Sequence, residues 1–406
     1  MTSTGDQTIE EDYQTLSNQQ RLKAAMHYTT LKICQATEKK YDLHVTPQAV
    51  AAIAETLWRQ AESFAVDLES FARKTARTWR KKGYTVVKNV LTEEECQTYI
   101  NQYKEWLADN FPSSTFPHVA HSLVQRYQVG HLEPSWRVRL RARDIFAQIW
   151  ETKRLLSSVD AVAIGRPPED GEEDFHSENR GWLHVDQSPN RSGLHAFQGA
   201  VYLEHADEDD WTFEVIEGSH RYFDEYYEKT NDPRRVGARG HRTLRDEYFD
   251  WLTENKCCRK RVPVPRGGMV LWDSRLVHAN ARPVKGRKNP GRWRWVVIVC
   301  MAPASWATKE SLKIKRDAYN KLLMTTHWPC DDVGVFPVTL PSYAVKELHP
   351  MTELPEVARG DDAKRLMGIC LILLLSRWKT LKTKSGSWPS GRSGILAAYL
   401  PKLRNQ

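Results

Sequence analysis

Hydrophobic residues recur at three- and four-residue steps through the first eighty positions of the chain, which is the spacing of one helix face. The pattern breaks at Lys39–His44 and restarts at Thr46, a residue type preferred just before a helix, with Pro47 at the first helical position. From Val50 to Phe71 the apolar residues keep to one face. The sequence therefore predicts a short helix, a turn and a long amphipathic helix, whose apolar faces need a partner to cover them.

After Gly83 the pattern changes to short β-branched or alternating runs separated by Gly, Pro and Asp. A helix is predicted at Cys96–Leu107, behind a capping box at Thr92–Glu95. The predicted strands are Tyr84–Val90, Gly199–Leu203, Phe213–Ile216, Met269–Trp272 and Trp293–Met301. Helices followed by short strands at irregular spacing indicate an α+β domain with an antiparallel β core.

The segment Trp136–Arg143 alternates apolar and basic residues. This alternation favours an edge strand with one solvated face. The alternative is that its basic residues line a channel for an anionic substrate.

The composition limits the classes of protein to consider. The chain has 406 residues, of which 40% are hydrophobic, and this suits two or three domains with real cores. The longest apolar stretch, Leu366–Leu375, is about half of the roughly 20 residues that span a membrane, and residues 1–20 are too polar for a signal peptide. Seven cysteines without a Cys-x-x-Cys pair argue against a disulfide framework or a zinc site and favour a reducing, intracellular compartment.

Two His-x-Asp triplets are candidates for metal binding. His184 and Asp186 lie in a strand-like run, where a period of two puts both side chains on one face. His205 and Asp207 lie in an acidic stretch that indicates a solvated turn. His278, which follows a predicted buried strand and a short loop, is a candidate third ligand for the first pair, and the alternative is a structural histidine that only forms hydrogen bonds. Two histidines and one carboxylate are the ligands of non-haem Fe(II) oxygenases.

The segment from Gly83 to Ile369 resembles the phytanoyl-CoA dioxygenase-like family of Fe(II)- and 2-oxoglutarate-dependent oxygenases. Four motifs in the family's order carry the resemblance: Gly83–Leu91, His184–Gln187, Phe213–Arg221 (with Glu217 where Pro is usual) and Gly267–His278. The resemblance implies a double-stranded β-helix, of the jelly-roll or cupin type, with His184, Asp186 and His278 on iron. It implies hydroxylation of an unknown substrate and no catalytic residue beyond the metal ligands.

The same resemblance implies a basic residue after the distal histidine that pairs with the far carboxylate of 2-oxoglutarate, a task suited to Arg. Arg294 is the first choice because a predicted strand continues from it. Arg292, two residues earlier on the same face, stays an alternative. Arg287 is expected in a loop, and His220 is expected to be structural.

The first domain resembles CENP-S, a histone-fold family, through Ser17–Tyr28 and Pro47–Arg77. This resemblance implies pairing with CENP-X, association with DNA, and service in the FANCM-MHF repair complex and the inner kinetochore. The family continues into a third helix, whereas here Trp79–Gly83 leads into a strand, so pairing and DNA binding are expected to be weaker. A basic cluster at this junction suits phosphate contacts and consists of Arg73, Lys74, Arg77, Arg80, Lys81 and Lys82.

We therefore expect a multidomain chain: a lead-in at 1–14, an all-α histone-fold segment at 15–79, an α+β dioxygenase domain at 80–370 and a basic tail at 371–406. The leading hypothesis is a nuclear dioxygenase, with a cytoplasmic location as the alternative, that uses Fe(II) and 2-oxoglutarate and has no membrane partner. One rival hypothesis is a non-enzymatic CENP-S-type subunit with a passenger oxygenase domain. The other is an artefactual join of two genes near Trp79.

Overall fold

The computed structural model of the chain describes residues 18–111, 121–170, 182–230, 242–244, 246–336 and 350–369. The chain divides into two compact units, residues 1–77 and residues 78–406. The lead-in expected at 1–14 and the basic tail expected at 371–406 lie outside the described residues.

Two helices dominate the beginning of the chain: α1 (Asn18–Tyr41) and α2 (Pro47–Lys82). The predicted start of α2 is confirmed, because the Thr46 hydroxyl accepts a hydrogen bond from the Ala49 amide at 3.2 Å and Pro47 is the first helical residue. The helix α1 has 24 residues and is longer than the sequence pattern indicates, and the break falls after Tyr41 rather than at Lys39.

The second unit contains two antiparallel sheets. In chain order the strands are β1 (Tyr84–Val87), β2 (Leu123–Val124), β3 (Leu155–Ser157), β4 (Val162–Gly165), β5 (His184–Val185), β6 (Phe197–Tyr202), β7 (Thr212–Glu217), β8 (Arg242–Thr243), β9 (Cys258–Val262), β10 (Met269–Asp273), β11 (His278–Ala281) and β12 (Arg294–Pro303). The larger sheet has the order β1-β10-β6-β12-β4-β2, with β3 also paired to β12, and the smaller has the order β8-β5-β11-β7-β9.

The two sheets share one hydrophobic core. Tyr202 and Trp272 from the larger sheet and Phe213 and Val262 from the smaller sheet belong to a single cluster of buried residues. Strands that alternate between two sheets packed in this way form a double-stranded β-helix. The predicted α+β class and its antiparallel core are therefore confirmed.

The helices of the second unit range from 4 to 18 residues and lie between or after the strands. They are α3 (Glu93–Asn110), α4 (Glu133–Ile149), α5 (Phe223–Thr230), α6 (Asp246–Glu254), α7 (Lys309–Asn320), α8 (Glu356–Arg359) and α9 (Asp361–Leu366). The capping box predicted for α3 is present, with Thr92 and Glu95 exchanging hydrogen bonds. Within the residues that the structure describes, no helix combines the length and apolar character needed to span a bilayer.

The edge strand predicted at Trp136–Arg143 is wrong, because this segment lies inside α4. Its buried positions follow helical spacing, and one of them is Arg139, which is fully buried with its guanidinium 4.8 Å from the Trp136 ring centroid. The alternation places every Arg on one face of a strand, but in the helix they separate. Arg141 pairs with Glu95, and Arg143 pairs with Asp362.

Candidate metal centre

Two neighbouring strands bring the three predicted ligands together. His184 opens β5 and His278 opens β11, and the two residues are directly opposite each other in the antiparallel pair. Asp186 follows β5, with one carboxylate oxygen 3.4 Å from His184 Nε2 and the other 3.2 Å from His278 Nε2. One ligand atom from each of the three buried residues lies within 4.8 Å of the others, a separation that one metal ion bridges.

Both histidines are held by their other ring nitrogen. Nδ1 of His184 lies 2.7 Å from the carbonyl oxygen of Trp182, and Nδ1 of His278 lies 2.9 Å from that of Leu276. A carbonyl oxygen only accepts, so each Nδ1 carries the proton and donates it. Each Nε2 faces the Asp186 carboxylate, and on losing its proton to an incoming metal ion it would supply a lone pair, as in metal-binding histidines.

The environment of Asp186 keeps its carboxylate ionised. Burial raises the pKa of Asp186, but the electrostatic effect of His327 and His278 and the hydrogen bonds from His184 and His278 outweigh burial and hold the pKa well below its usual range. The centre thus offers two imidazole nitrogens and one carboxylate. This donor set fits Fe(II) and leaves the other coordination positions for reactants.

Arg294, the first choice for the carboxylate of 2-oxoglutarate, is buried at the start of β12. Its Nη2 donates to Asn280 Oδ1 at 2.8 Å and to the Tyr202 hydroxyl at 3.2 Å. Its Nε and Nη1 are buried and have no hydrogen-bond partner among the described residues. A buried guanidinium with unused N–H groups is a site that a ligand carboxylate satisfies.

The other two arginines are already paired. Arg292 Nη1 donates to Asp207 at 2.8 Å and to Asp210 at 2.6 Å. Arg287 lies in the loop between β11 and β12, where its buried side chain pairs with Glu169 and Asp210. Arg294 therefore fits an incoming carboxylate better than either.

Two other sequence candidates serve local structure. His205 Nε2 lies 2.7 Å from Asp207 Oδ1, with both side chains partly exposed, in the turn where the sequence places them. His220 is buried, and burial is the main cause that lowers its pKa to about 4. Glu217 accepts a hydrogen bond from the Tyr84 hydroxyl at 3.0 Å and pairs with Lys82 at 3.4 Å, which accounts for a carboxylate at that position.

Four residues near the centre were missed at the level of sequence. Trp182 and Asn280 lie two positions from His184 and His278, and the period of two was a signal for both. His121, whose ring stacks on Trp182, and His327, whose charge acts on Asp186, come from distant segments. Only the folded chain brings these two to the site.

A double-stranded β-helix that carries two histidines, one carboxylate and an arginine with unused N–H groups defines the class of Fe(II)- and 2-oxoglutarate-dependent dioxygenases. Residues 79–286 match the family model of phytanoyl-CoA dioxygenase (PhyH), and the chain belongs to this family.

Relatives of the second unit include the Ava biosynthesis cluster protein O of Aspergillus versicolor. It is 25% identical over 273 residues, which are 62% of this chain and 85% of that protein. Among solved structures, the GlcNAc-inducible GIG2 protein of Candida albicans has a TM-score of 0.50 at 16% identity and covers 81% of this chain and 79% of that one. This structural similarity shows a shared fold.

The beginning of the chain has separate relatives. Residues 20–80 match the family model of CENP-S protein. Human centromere protein S is 47% identical over 68 residues, which are 17% of this chain and 49% of that protein. The Xenopus laevis protein is 50% identical over 62 residues, 46% of its length. The chain therefore spans about half the length of these relatives.

Proposed function

We propose that His184, Asp186 and His278 bind Fe(II), that Arg294 binds the far carboxylate of 2-oxoglutarate, and that the chain oxidises a C–H bond of an unidentified substrate. The observation that carries this proposal is the convergence of the three ligand atoms, with both Nδ1 atoms bonded to backbone carbonyls. Iron and 2-oxoglutarate supply the activation of dioxygen, coupled to decarboxylation of the keto acid.

The protein's own residues orient the reactants and exclude water. Phe213 and Trp272 lie beside His278, with ring centroids 5.6 Å and 5.2 Å from its ring, and both are buried. Arg294 fixes one end of 2-oxoglutarate through its two unpartnered nitrogens, Nε and Nη1, while Asn280 and Tyr202 hold the guanidinium in place. An apolar wall and one fixed cation favour a single orientation of the bound keto acid.

An anaerobic titration of the purified chain with Fe(II) and 2-oxoglutarate tests this assignment. The expected result is the weak visible charge-transfer band of such centres, lost in His184→Ala. His205→Ala, which changes the partly exposed histidine of the other His-x-Asp triplet, is the matched control and should keep the band. The iron assignment is wrong if the unmodified chain gives no band or if His184→Ala keeps the band.

We also propose that the first unit pairs with a CENP-X-like histone-fold protein, associates with DNA and directs the chain to the nucleus. The supporting observation is a patch of apolar side chains on α1 and α2 that solvent reaches. Leu22, Tyr28 and Ile33 are each more than 60% exposed, and Ile53 and Leu57 are each 43% exposed. Large exposed apolar patches mark interaction surfaces, and similarity to centromere protein S supports a histone-fold partner for this one.

The DNA-binding part of the proposal rests on the basic cluster at the end of α2. Arg80 and Lys81 are exposed, as phosphate contacts require. Lys82 already pairs with Glu217, so it contributes less. The side chains of Arg73, Lys74 and Arg77 lie outside the described residues.

Co-expression of the full chain with a CENP-X-like protein tests the pairing. We expect co-purification, and we expect Leu22→Asp with Ile33→Asp to abolish it because both substitutions put a charge in the apolar patch. Gln35→Asp, an exposed position on another face of the same helix, is the control and should still co-purify. The pairing proposal is wrong if the unmodified chain does not co-purify with the CENP-X-like protein. If the chain captures the partner and lacks the charge-transfer band, a non-enzymatic subunit of the DNA repair complex and the kinetochore becomes the better description.

A further inference from the structure

The two sheets of the second unit each have an edge strand on the same side of the core. In the strand order, β1 is at one end of the larger sheet and β9 is at one end of the smaller sheet. Tyr84 of β1 and Val262 of β9 belong to the same buried cluster, and the Tyr84 hydroxyl donates to Glu217 at 3.0 Å. Glu217 is directly opposite Cys258 of β9 in the antiparallel β7–β9 pair. The two edge strands therefore lie close together.

Exposed basic residues follow these two edge strands. The basic edge, as we define it, consists of Lys81 before β1, Lys88 directly after β1, Arg221 after β7 and Lys260 within β9, and all four are exposed. None of them forms an ion pair with a carboxylate in the part of the chain that the structure describes. The carboxylates of β7 are already used, because Glu217 pairs with Lys82 at 3.4 Å. Glu214 likewise pairs with Arg259 at 2.7 Å, so the charges of the basic edge are not neutralised by β7.

We propose that the basic edge binds the phosphate backbone of duplex DNA, so that the second unit itself contacts DNA. The proposal rests on the proposed DNA association and extends it from the end of α2, where the Gly218 amide donates to the Lys82 carbonyl oxygen at 3.0 Å. Lys88, Arg221 and Lys260 lie outside the match to CENP-S, which covers residues 20–80. Exposed cations of this kind bind phosphates and release counterions without reading the base sequence.

The extended arrangement of the cations favours a polymer over a small phosphate ligand. Lys81 and Lys88 stand on either side of β1 (Tyr84–Val87), which at the rise of an extended strand separates them by roughly 15 Å. A single phosphate group needs cations that converge on one point. Duplex DNA instead presents one phosphate charge for about every 1.7 Å of its axis, so a row of cations along a strand edge meets several phosphates.

The salt dependence of DNA binding tests this surface. A short fluorescein-labelled duplex is titrated with the full chain, and its fluorescence anisotropy gives the affinity at several salt concentrations. We expect Lys88→Ala with Lys260→Ala to weaken binding about tenfold and to reduce the slope of log affinity against log salt by about two, which is one for each lost phosphate contact. Lys309→Ala with Lys313→Ala, which removes two exposed lysines of α7, is the matched control and should change neither quantity.

Cys258 reports where the DNA lies. It is exposed on β9, whereas the other cysteines in the described ranges of the chain are buried. Saturating duplex DNA should slow the alkylation of Cys258 by N-ethylmaleimide several-fold, because bound DNA covers the β9 edge. Peptide mass spectrometry of the segment that contains Cys257 and Cys258 measures the rate, and Cys258→Ser confirms the assignment.

The inference is wrong if DNA binds and leaves the alkylation rate of Cys258 unchanged, or if Lys88→Ala with Lys260→Ala keeps the affinity and the salt slope of the unmodified chain. It is also wrong if this double variant aggregates while its affinity for DNA is unchanged, since the two lysines would then only protect the edge strands from pairing with other chains. These results would leave the proposed DNA association in place. A full chain that binds no DNA would refute that association, and the inference with it.

Discussion

Arg294 opens β12 and Arg292 lies two residues before it in the preceding loop, and the neighbours of the two side chains differ. Arg292 is neutralised by Asp207 and Asp210, whereas two nitrogens of Arg294 have no partner among the described residues. We expect Arg294→Leu to raise the KM for 2-oxoglutarate about 10- to 100-fold, the worth of a charge-assisted hydrogen bond or two. Steady-state rates of 2-oxoglutarate consumption at a series of 2-oxoglutarate concentrations measure this KM. Arg292→Leu should leave that KM unchanged, and the reverse order of effects would make Arg292 the anchor.

Gly83, between α2 and β1, is a position that tolerates no side chain. Its φ is +83°, and an added Cβ would lie 2.5 Å from His220 Nδ1 and 2.7 Å from Leu276 Cδ1. We expect Gly83→Ala to lower the free energy of unfolding by about 3 kcal/mol, from backbone strain and overpacking together. Urea denaturation measures the loss. Gly286→Ala, with φ +79° and nothing within 4 Å, isolates the backbone part and should cost less. Equal losses would contradict the role of His220.

At the scale of elements, the region around α4 shows how a buried arginine makes a prediction from sequence alternation wrong. An Arg in an alternating run is normally assigned to solvent, but Arg139 is buried against Trp136 and donates to the Gly130 carbonyl oxygen at 3.2 Å. The short 3-10 helix Val129–His131 before α4 is tied to the chain after α7, because His131 Nε2 lies 2.9 Å from the Leu323 carbonyl oxygen. Neither contact has a local sequence signal.

This link makes the packing of α4 sensitive to acid. Burial, aided by the charge of Arg139, lowers the pKa of His131 to about 4 from the ordinary 6.5, despite the opposing bond to Leu323. In the unfolded chain the His131 imidazole therefore binds a proton near pH 6.5, whereas in the folded chain it binds one only near pH 4. We expect stability to fall as the pH drops through this window, with a slope of up to about 1.4 kcal/mol per pH unit from this group.

The comparison of His131→Gln with the unmodified chain measures that slope. Urea denaturation at several values between pH 7 and pH 4.5 should give a flatter dependence for the variant, whatever its stability at pH 7. His220, whose pKa is also lowered to about 4, remains in both proteins and keeps part of the slope. Identical slopes would show that His131 does not contribute.

At the scale of the whole molecule, the chain joins two compact units with separate relatives. We expect Leu22→Asp with Ile33→Asp, placed in the apolar patch of the first unit, to leave 2-oxoglutarate consumption by the full chain unchanged. A large loss of turnover in this double variant, with iron still bound, would show that the units depend on each other.

The junction itself is open to a direct test. The match to CENP-S ends at residue 80 and β1 begins at Tyr84, so the fusion hypothesis requires one transcript that reads through both parts. We expect sequenced transcripts to cross the codons for Thr78 to Gly83 without interruption. Transcripts that always end or begin there would favour two separate genes.

The sequence by itself determined the features that are local in the chain. Helix periodicity and a Thr-Pro start defined α2, strand periodicity placed His184 and Asp186 on one face, and ordered motifs indicated His278 as a third candidate ligand. Tertiary structure decided what depends on distant neighbours. It showed that Arg294 keeps unused N–H groups, that Arg139 is buried in a helix, and that His121 packs on Trp182. Periodicity reports which face a side chain lies on, whereas pairing and burial depend on segments that only folding brings together.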